Sequence, residues 1–203
     1  MEHLGTQEIR TERLVLRRVC LEDAEAMHRN WTGDAEVTKY LTWPAHASVD
    51  VTRGFVSYLL SAYERPSAYE WCIVLVGESP EPIGMISAVR VDDDIAAIEV
   101  GYCLGRAWWG RGIMTEALSA VIDFFFTRVG ANRIEARHDV RNPASGAVMR
   151  KCGMVYEGTH RQAARNNQGI CDVSIAAVVD AVGGADGQLL PRSAVPTANC
   201  CRA

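Results

Sequence analysis

The sequence predicts an α/β (α+β) domain: a mixed, mostly antiparallel sheet of six to seven strands flanked by about four helices. Three observations carry this. Three strand-like runs follow one another over residues 70–104 with only short turns between them, the signature of an antiparallel meander. At Ile113 the apolar period lengthens from two to about 3.6, opening a helix–strand–helix–strand alternation that supplies a parallel pair. With 48% hydrophobic residues over 203 positions, the chain has material for one sizeable core.

In chain order, residues 13–19 alternate apolar and charged side chains and read as the first strand. Residues 21–31 open on Glu22 and Asp23 and space Leu21, Ala24 and Met27 as a short helix would. A second helix over 49–63 follows Ser48 and stops before Pro66. Strands are expected at 70–76, 83–91 and 96–104, the last two separated by the Asp92-Asp93-Asp94 turn. Met114, Ala117, Leu118, Val121, Ile122 and Phe125 then form one stripe of a long helix ending at Gly130. Residues 133–138 are a strand. Asn142-Pro143 supplies an N-cap and a first-position proline for the next helix, which Gly153 closes. Strands at 154–161 and 169–178 complete residues 1–180 as a single domain. Residues 181–203, rich in Ala, Gly, Pro and Ser, are expected to be disordered.

Several function classes are disfavoured by composition. No apolar run approaches the roughly 20 residues that span a bilayer, and no signal peptide is visible at the start. The net charge of −4 argues against a nucleic-acid partner. Seven widely spaced cysteines contain no C-x-x-C pair, which indicates neither a disulfide framework nor a metal site and suits a reducing cytoplasm.

The strongest local signal is the stretch from Gly105 to Glu116, where a glycine-bearing loop joins a strand to a long helix. A helix start offers free N–H groups and a partial positive charge, and glycine lets backbone approach an anion closely. The same glycines also suit a plain strand-to-helix turn needing positive φ. A Walker A loop fails on spelling, because Arg111-Gly112 stands where Lys-Ser/Thr is required. The dinucleotide fingerprint fails too, since no third glycine follows Gly112.

The segment Gly110-Arg111-Gly112-Ile113-Met114-Thr115-Glu116-Ala117 resembles the acetyl-CoA pyrophosphate loop of the GNAT acetyltransferases, whose general form is Q/R-x-x-G-x-G/A. It is similar in particular to the RimJ/RimL-like, ribosomal-protein N-acetyltransferase branch. Thr11-Glu12-Arg13-Leu14-Val15-Leu16-Arg17 resembles that branch's opening strand, and Glu99-Val100-Gly101-Tyr102 the strand before the loop. Asn142-Pro143-Ala144-Ser145 with Met149-Arg150-Lys151-Cys152-Gly153-Met154 resembles its late helix. Ala107 departs from the pattern where Q or R is usual, so that a polar cofactor contact is either lost or moved to Arg106 or Arg111.

The resemblance implies acetyl-CoA as co-substrate and no metal, held by Trp109, Gly110, Arg111, Gly112, Ile113, Met114, Thr115, Asn142 and Ser145. It also implies that backbone N–H groups of Cys103 and Leu104 hold the acetyl oxygen. Glu99 is the expected general base, because a carboxylate between Ile98 and Val100 is costly to bury without a use. The alternative is an ion pair with an arginine. Ser145 is the expected proton donor to the thiol; Tyr156, the other hydroxyl considered, belongs to the following strand. Trp31, Tyr40, Trp43 and Tyr69 are expected either to be core or to border the acceptor site. His138 with Asp139 is not read as a dyad, since strand neighbours point to opposite faces. The function that follows is N-acetyl transfer to a primary amine, with a protein N-terminal α-amine favoured by the branch. A small amine such as an antibiotic or polyamine is the alternative, with Asp34, Glu36 and Glu70 as a candidate acidic pocket. A non-catalytic acetyl-CoA-binding module is the third reading. Because the family often forms dimers, a homodimer is one expected assembly.

Overall fold

The computed structural model describes residues 1–180, so the expected disorder of 181–203 lies outside the described residues. The strands are β1 (Ile9–Arg10), β2 (Leu14–Arg17), β3 (Glu70–Leu75), β4 (Gly84–Asp92), β5 (Ala97–Leu104), β6 (Arg133–Asp139), β7 (Val155–Asn166) and β8 (Gly169–Val179). They form one sheet in the order β1-β2-β3-β4-β5-β6-β8-β7. All pairs are antiparallel except β5–β6. The expected mixed sheet is therefore present, with the two-residue β1 as one strand more than periodicity revealed.

Alternation along the strands sorts side chains onto two faces. Leu14, Leu16, Trp71, Ile73, Ile86, Ile98 and Ile134 face α4 (Ile113–Phe124), whose Ala117, Leu118 and Val121 close the main core. Cys72, Val74 and Met85 face the other way, toward Met27, Trp31, Val56 and Leu59. These come from α1 (Ala24–Met27), the turn after it, and α3 (Val49–Ala62). A short α2 (Ala35–Thr38) is capped by Asp34, and α5 (Pro143–Lys151) by Asn142.

The expected helix over 21–31 is broken into a 3-10 turn, one α turn and a wide turn at His28–Thr32. The helix expected to reach Gly130 likewise ends in a wide turn, Phe125–Val129, closed by Gly130 at φ +73°. β8 matches the expected strand, while β7 runs on to Asn166, further than its alternation indicated. Two register shifts and a positive φ at Gln162 interrupt the apolar pattern, hiding the length of the ribbon. Among the described residues, no helix is long and apolar enough to cross a membrane.

The feature that positions the site is a fork. β5 and β6 pair only from Ala97↔Arg133 to Val100↔Ala136. Beyond that point β5 stays with β4 as far as Leu104, and β6 stays with β8 as far as Asp139. Two parallel strands with different outer partners part company, and the gap opens toward α5 and the loop before α4.

Candidate active site

Two cavities, each of about 450 Å³, meet in this fork. One is bordered by the loop and α4 start, at Trp109, Gly110, Gly112, Ile113, Met114 and Thr115, and by α5. The other lies over the sheet, bordered by Glu99, Arg137, His138 and Asp139 and walled by Trp31, Trp43 and Phe55. Tyr40, Leu41, Tyr102, Cys103, Asn142 and Ser145 border both.

The loop takes its shape from its glycines and from contacts with the opening strand. Gly110 and Gly112 have φ of +75° and +74°, the left-handed region where a side chain costs about 1–2 kcal/mol. Gly112 is also the cap of α4, so no cap side chain covers the first-turn N–H groups. Arg13 donates to the Arg111 carbonyl at 3.2 Å and pairs with Glu116 at 2.6 Å. Thr11 donates to the same carboxylate at 2.5 Å. The Trp109 indole donates to the Leu104 carbonyl at 2.7 Å, tying the loop to the end of β5.

The arginines expected to replace the missing Q/R contact turn elsewhere. Arg106 pairs with Asp34 at 3.2 Å and Arg111 with Glu78 at 3.6 Å, and neither borders the loop-side cavity. Lys39, the residue that caps the end of α2, and Lys151, the last residue of α5, do border it; neither was singled out in the sequence, because only the fold turns them toward the loop.

Cys103 and Leu104 divide the expected backbone role. Gly105 donates to the Ile83 carbonyl, so the two-residue period of the ladder turns the Cys103 N–H toward β4 as well. The Leu104 N–H faces the fork, whereas the Cys103 N–H does not. The Cys103 thiol is pushed up to about 12 by burial, which keeps it protonated and inert.

Glu99 sits in the sheet-side cavity, its side chain 16% exposed, 3.4 Å from Arg137 and 3.6 Å from Arg90. Burial raises its pKa; Arg137 and Arg90 oppose the rise and the neighbouring Glu135 adds to it. Glu99 thus has the arginine partners of the alternative reading, with a pKa that burial keeps above the ordinary glutamate value.

Ser145 lies in the first turn of α5, where the Asn142 side chain accepts its N–H at 3.4 Å. Its hydroxyl donates to Tyr102, not to Tyr156, which is exposed and bonds Thr159. Tyr102 is the tyrosine that meets Ser145, overlooked because its partner lies 43 residues away. His138 bonds the Asp139 carbonyl while the Asp139 carboxylate is held by Arg141 and Asn166, so the two are no dyad. α5 lies so close to β6 that a Cβ on Gly146 would stand 2.7 Å from His138 Nε2.

Of the aromatic residues, Trp31, Tyr40 and Trp43 come together at the sheet-side cavity. Tyr69 does not. It is fully buried in the main core, stacked on Trp71 at 5.8 Å, with its hydroxyl on His3. The candidate acidic pocket also dissolves: Asp34 pairs with Arg106, Glu36 borders the loop side, and Glu70 borders neither cavity.

A strand fork beside an uncapped glycine loop defines a class, and comparison with known proteins names it. Residues 13–155 match the acetyltransferase (GNAT) domain, and the chain belongs to that family. It is 33% identical over 163 residues to a protein called uncharacterized N-acetyltransferase p20 of Bacillus licheniformis, covering 80% of this chain and 90% of that one. It is 30% identical over 142 residues to the ribosomal-protein-serine acetyltransferase of Escherichia coli, covering 69% and 78%. RimL, a ribosomal L7/L12 alpha-N-protein acetyltransferase solved with coenzyme A, superposes with a TM-score of 0.76. Its identity is 26%, and 85% of this chain and 98% of that one are covered. The protein is an acyl-CoA-dependent N-acetyltransferase.

Proposed function

We propose that the chain moves an acetyl group from acetyl-CoA to a primary amine, with a protein N-terminal α-amine as the favoured acceptor. The observation that carries this is the meeting of two cavities at Tyr102, Cys103, Asn142 and Ser145, one beside the phosphate-type loop and one beside Glu99.

The residues present suit acetyl-CoA. Gly110 and Gly112 leave backbone open at the start of α4, where the helix dipole favours phosphate, and Lys39 and Lys151 add positive charge. When bound there, acetyl-CoA supplies the activated thioester. Glu99, with its raised pKa, takes the acceptor's proton, directly or through a water. The fork-side Leu104 N–H is free of the β4 ladder and can donate to an acetyl oxygen. Ser145 stands ready to donate to sulfur. The retained Glu99 and Ser145 weigh against a non-catalytic binding module.

Charge selects among acceptors. The carboxylates of the sheet-side cavity are Glu99 and Asp139, and both already hold arginines. Among the described residues, no spare carboxylate is offered there to a second ammonium, which disfavours polyamines and aminoglycoside-type antibiotics. The walls are instead Trp31, Trp43, Phe55, Met85 and Val173, suited to an apolar first side chain. An α-amine has a pKa of about 8 and asks little of its base. The names of the Escherichia coli relative and of RimL point the same way. Free thiols at the five cysteines of the described residues fit a reducing, cytoplasmic setting. The test is mass spectrometry of peptides and polyamines after incubation with acetyl-CoA. Acetylated N-termini are expected; modification of polyamines alone would reject the acceptor assignment.

A further inference from the structure

Tyr102 is a polar side chain of the fork that the proposed chemistry leaves unused, and its surroundings give it a task. It lies at the second position past the last β5–β6 pair and borders both cavities. Its phenol oxygen is 3.0 Å from the Ser145 hydroxyl and 3.0 Å from the Ser145 carbonyl oxygen. Both contacts cross from β5 to α5, bridging the two walls of the fork at the level where the cavities join.

From this double contact we infer that Tyr102 is a positioning residue, holding the Ser145 hydroxyl as a donor toward the thiol end of coenzyme A. The inference rests on the acetyl-CoA reading of the loop-side cavity. As the hydroxyls now stand, Ser145 donates to Tyr102 and Tyr102 donates to the Ser145 carbonyl. Turning the Ser145 hydroxyl toward a sulfur leaves its oxygen free to accept. The phenol can then swing its O–H from the carbonyl to Oγ, since both oxygens are equally near. Only hydroxyl rotations are needed, and no heavy atom moves.

A two-link chain of donors strengthens its terminal bond, because each hydroxyl polarises the next. The phenol keeps its proton throughout, because burial raises its pKa well beyond the ordinary tyrosine value. Tyr102 therefore acts through Ser145 and not as an acid itself.

The experiment needs no acceptor. Reduced coenzyme A is bound to the full chain, and its thiol is titrated by ultraviolet thiolate absorbance. The variants are Tyr102→Phe, which keeps the packed ring, Ser145→Ala, and the two together. The bound thiol is expected to titrate lower in the native complex than with Tyr102→Phe by roughly half to one pH unit, a three- to tenfold change in ionisation. Ser145→Ala and the double variant should titrate alike, because removing the intermediary silences Tyr102. Identical titration of native and Tyr102→Phe complexes would overturn the inference. So would a Tyr102→Phe effect that persists without Ser145, which marks a structural role. Failure of the native chain to bind coenzyme A would instead remove the acetyl-CoA reading beneath it.

Discussion

Replacing Glu99 with glutamine separates a catalytic carboxylate from an ion-pair member. The substitution keeps the shape of the side chain and removes its charge. Arg90 and Arg137 are not stranded, because each also has Glu135 at 3.1 Å. The arginines of these pairs are about half exposed and both keep Glu135, so the loss is about 1 kcal/mol or less and the fold should tolerate the change. The pKa of Glu99 is raised in the fold, so its contribution to stability is present at low pH and lost as pH rises through the folded value. The glutamine variant has no such loss and should be at least as stable near neutrality.

Activity should behave differently. A general base contributes about 10²–10⁴ in rate. An α-amine of pKa about 8 is already about one-tenth neutral at pH 7, which places the loss at the low end, about 100-fold in kcat/KM. The assay is initial rate against pH with an N-terminal peptide and acetyl-CoA. In the native enzyme the rate rises as Glu99 loses its proton, above the ordinary carboxylate range. In Glu99→Gln that limb vanishes and only the acceptor's own deprotonation remains. A variant with native rate at pH 7, or one that keeps the carboxylate limb, would refute the base assignment.

Three further outcomes are expected. Asp139, held by the Arg141 guanidinium first and by Asn166, has a pKa well below the usual carboxylate range. Asp139→Asn should therefore lose about 2 kcal/mol at pH 7 in urea unfolding, with the deficit narrowing as pH falls below about 4. Asn167 donates to the Thr38 and Trp43 carbonyls at 2.8 and 2.7 Å, clasping residues 38–43 over the sheet-side cavity. Asn167→Ala should raise the acceptor KM several-fold in steady-state assays and weaken acetyl-CoA binding less, since Lys39, Tyr40 and Leu41 of the same segment also border the loop-side cavity, at a cost of about 1 kcal/mol per bond in stability. Arg13→Ala removes the clamp on the Arg111 carbonyl and should weaken acetyl-CoA binding about three- to tenfold in calorimetry, without moving the acceptor KM.

Periodicity and spelling made the frame readable. The stripe of Met114, Ala117, Leu118 and Val121 marks α4, and Gly110 and Gly112 mark the loop, because local geometry alone demands those residues. Asn142 and Ser145 were readable for the same reason, as a cap and its first turn. What local signals could not convey was partnership across the chain. Tyr69 and Trp43 look alike in sequence, yet only tertiary packing sends one to the main core and the other to the cavity wall. Tyr102 meets Ser145 because β5 and α5 converge at a fork that no periodicity announces. Arg106 and Arg111 turned from the loop because Asp34 and Glu78, remote in sequence, lie within reach. The length of β7 was hidden by the bulges at Tyr156/Gly158 and His160/Ala164, which break its alternation.

The central claim is that acetyl-CoA binds at the loop before α4, and calorimetry tests it most directly. The native chain should bind acetyl-CoA with a dissociation constant between about 1 μM and 1 mM, the usual range for enzyme substrates. Gly112→Trp, which places a bulky side chain at φ +74° on the cap, should abolish binding while the melting transition persists. No binding by the native chain, or undiminished binding by a folded Gly112→Trp variant, would contradict the account.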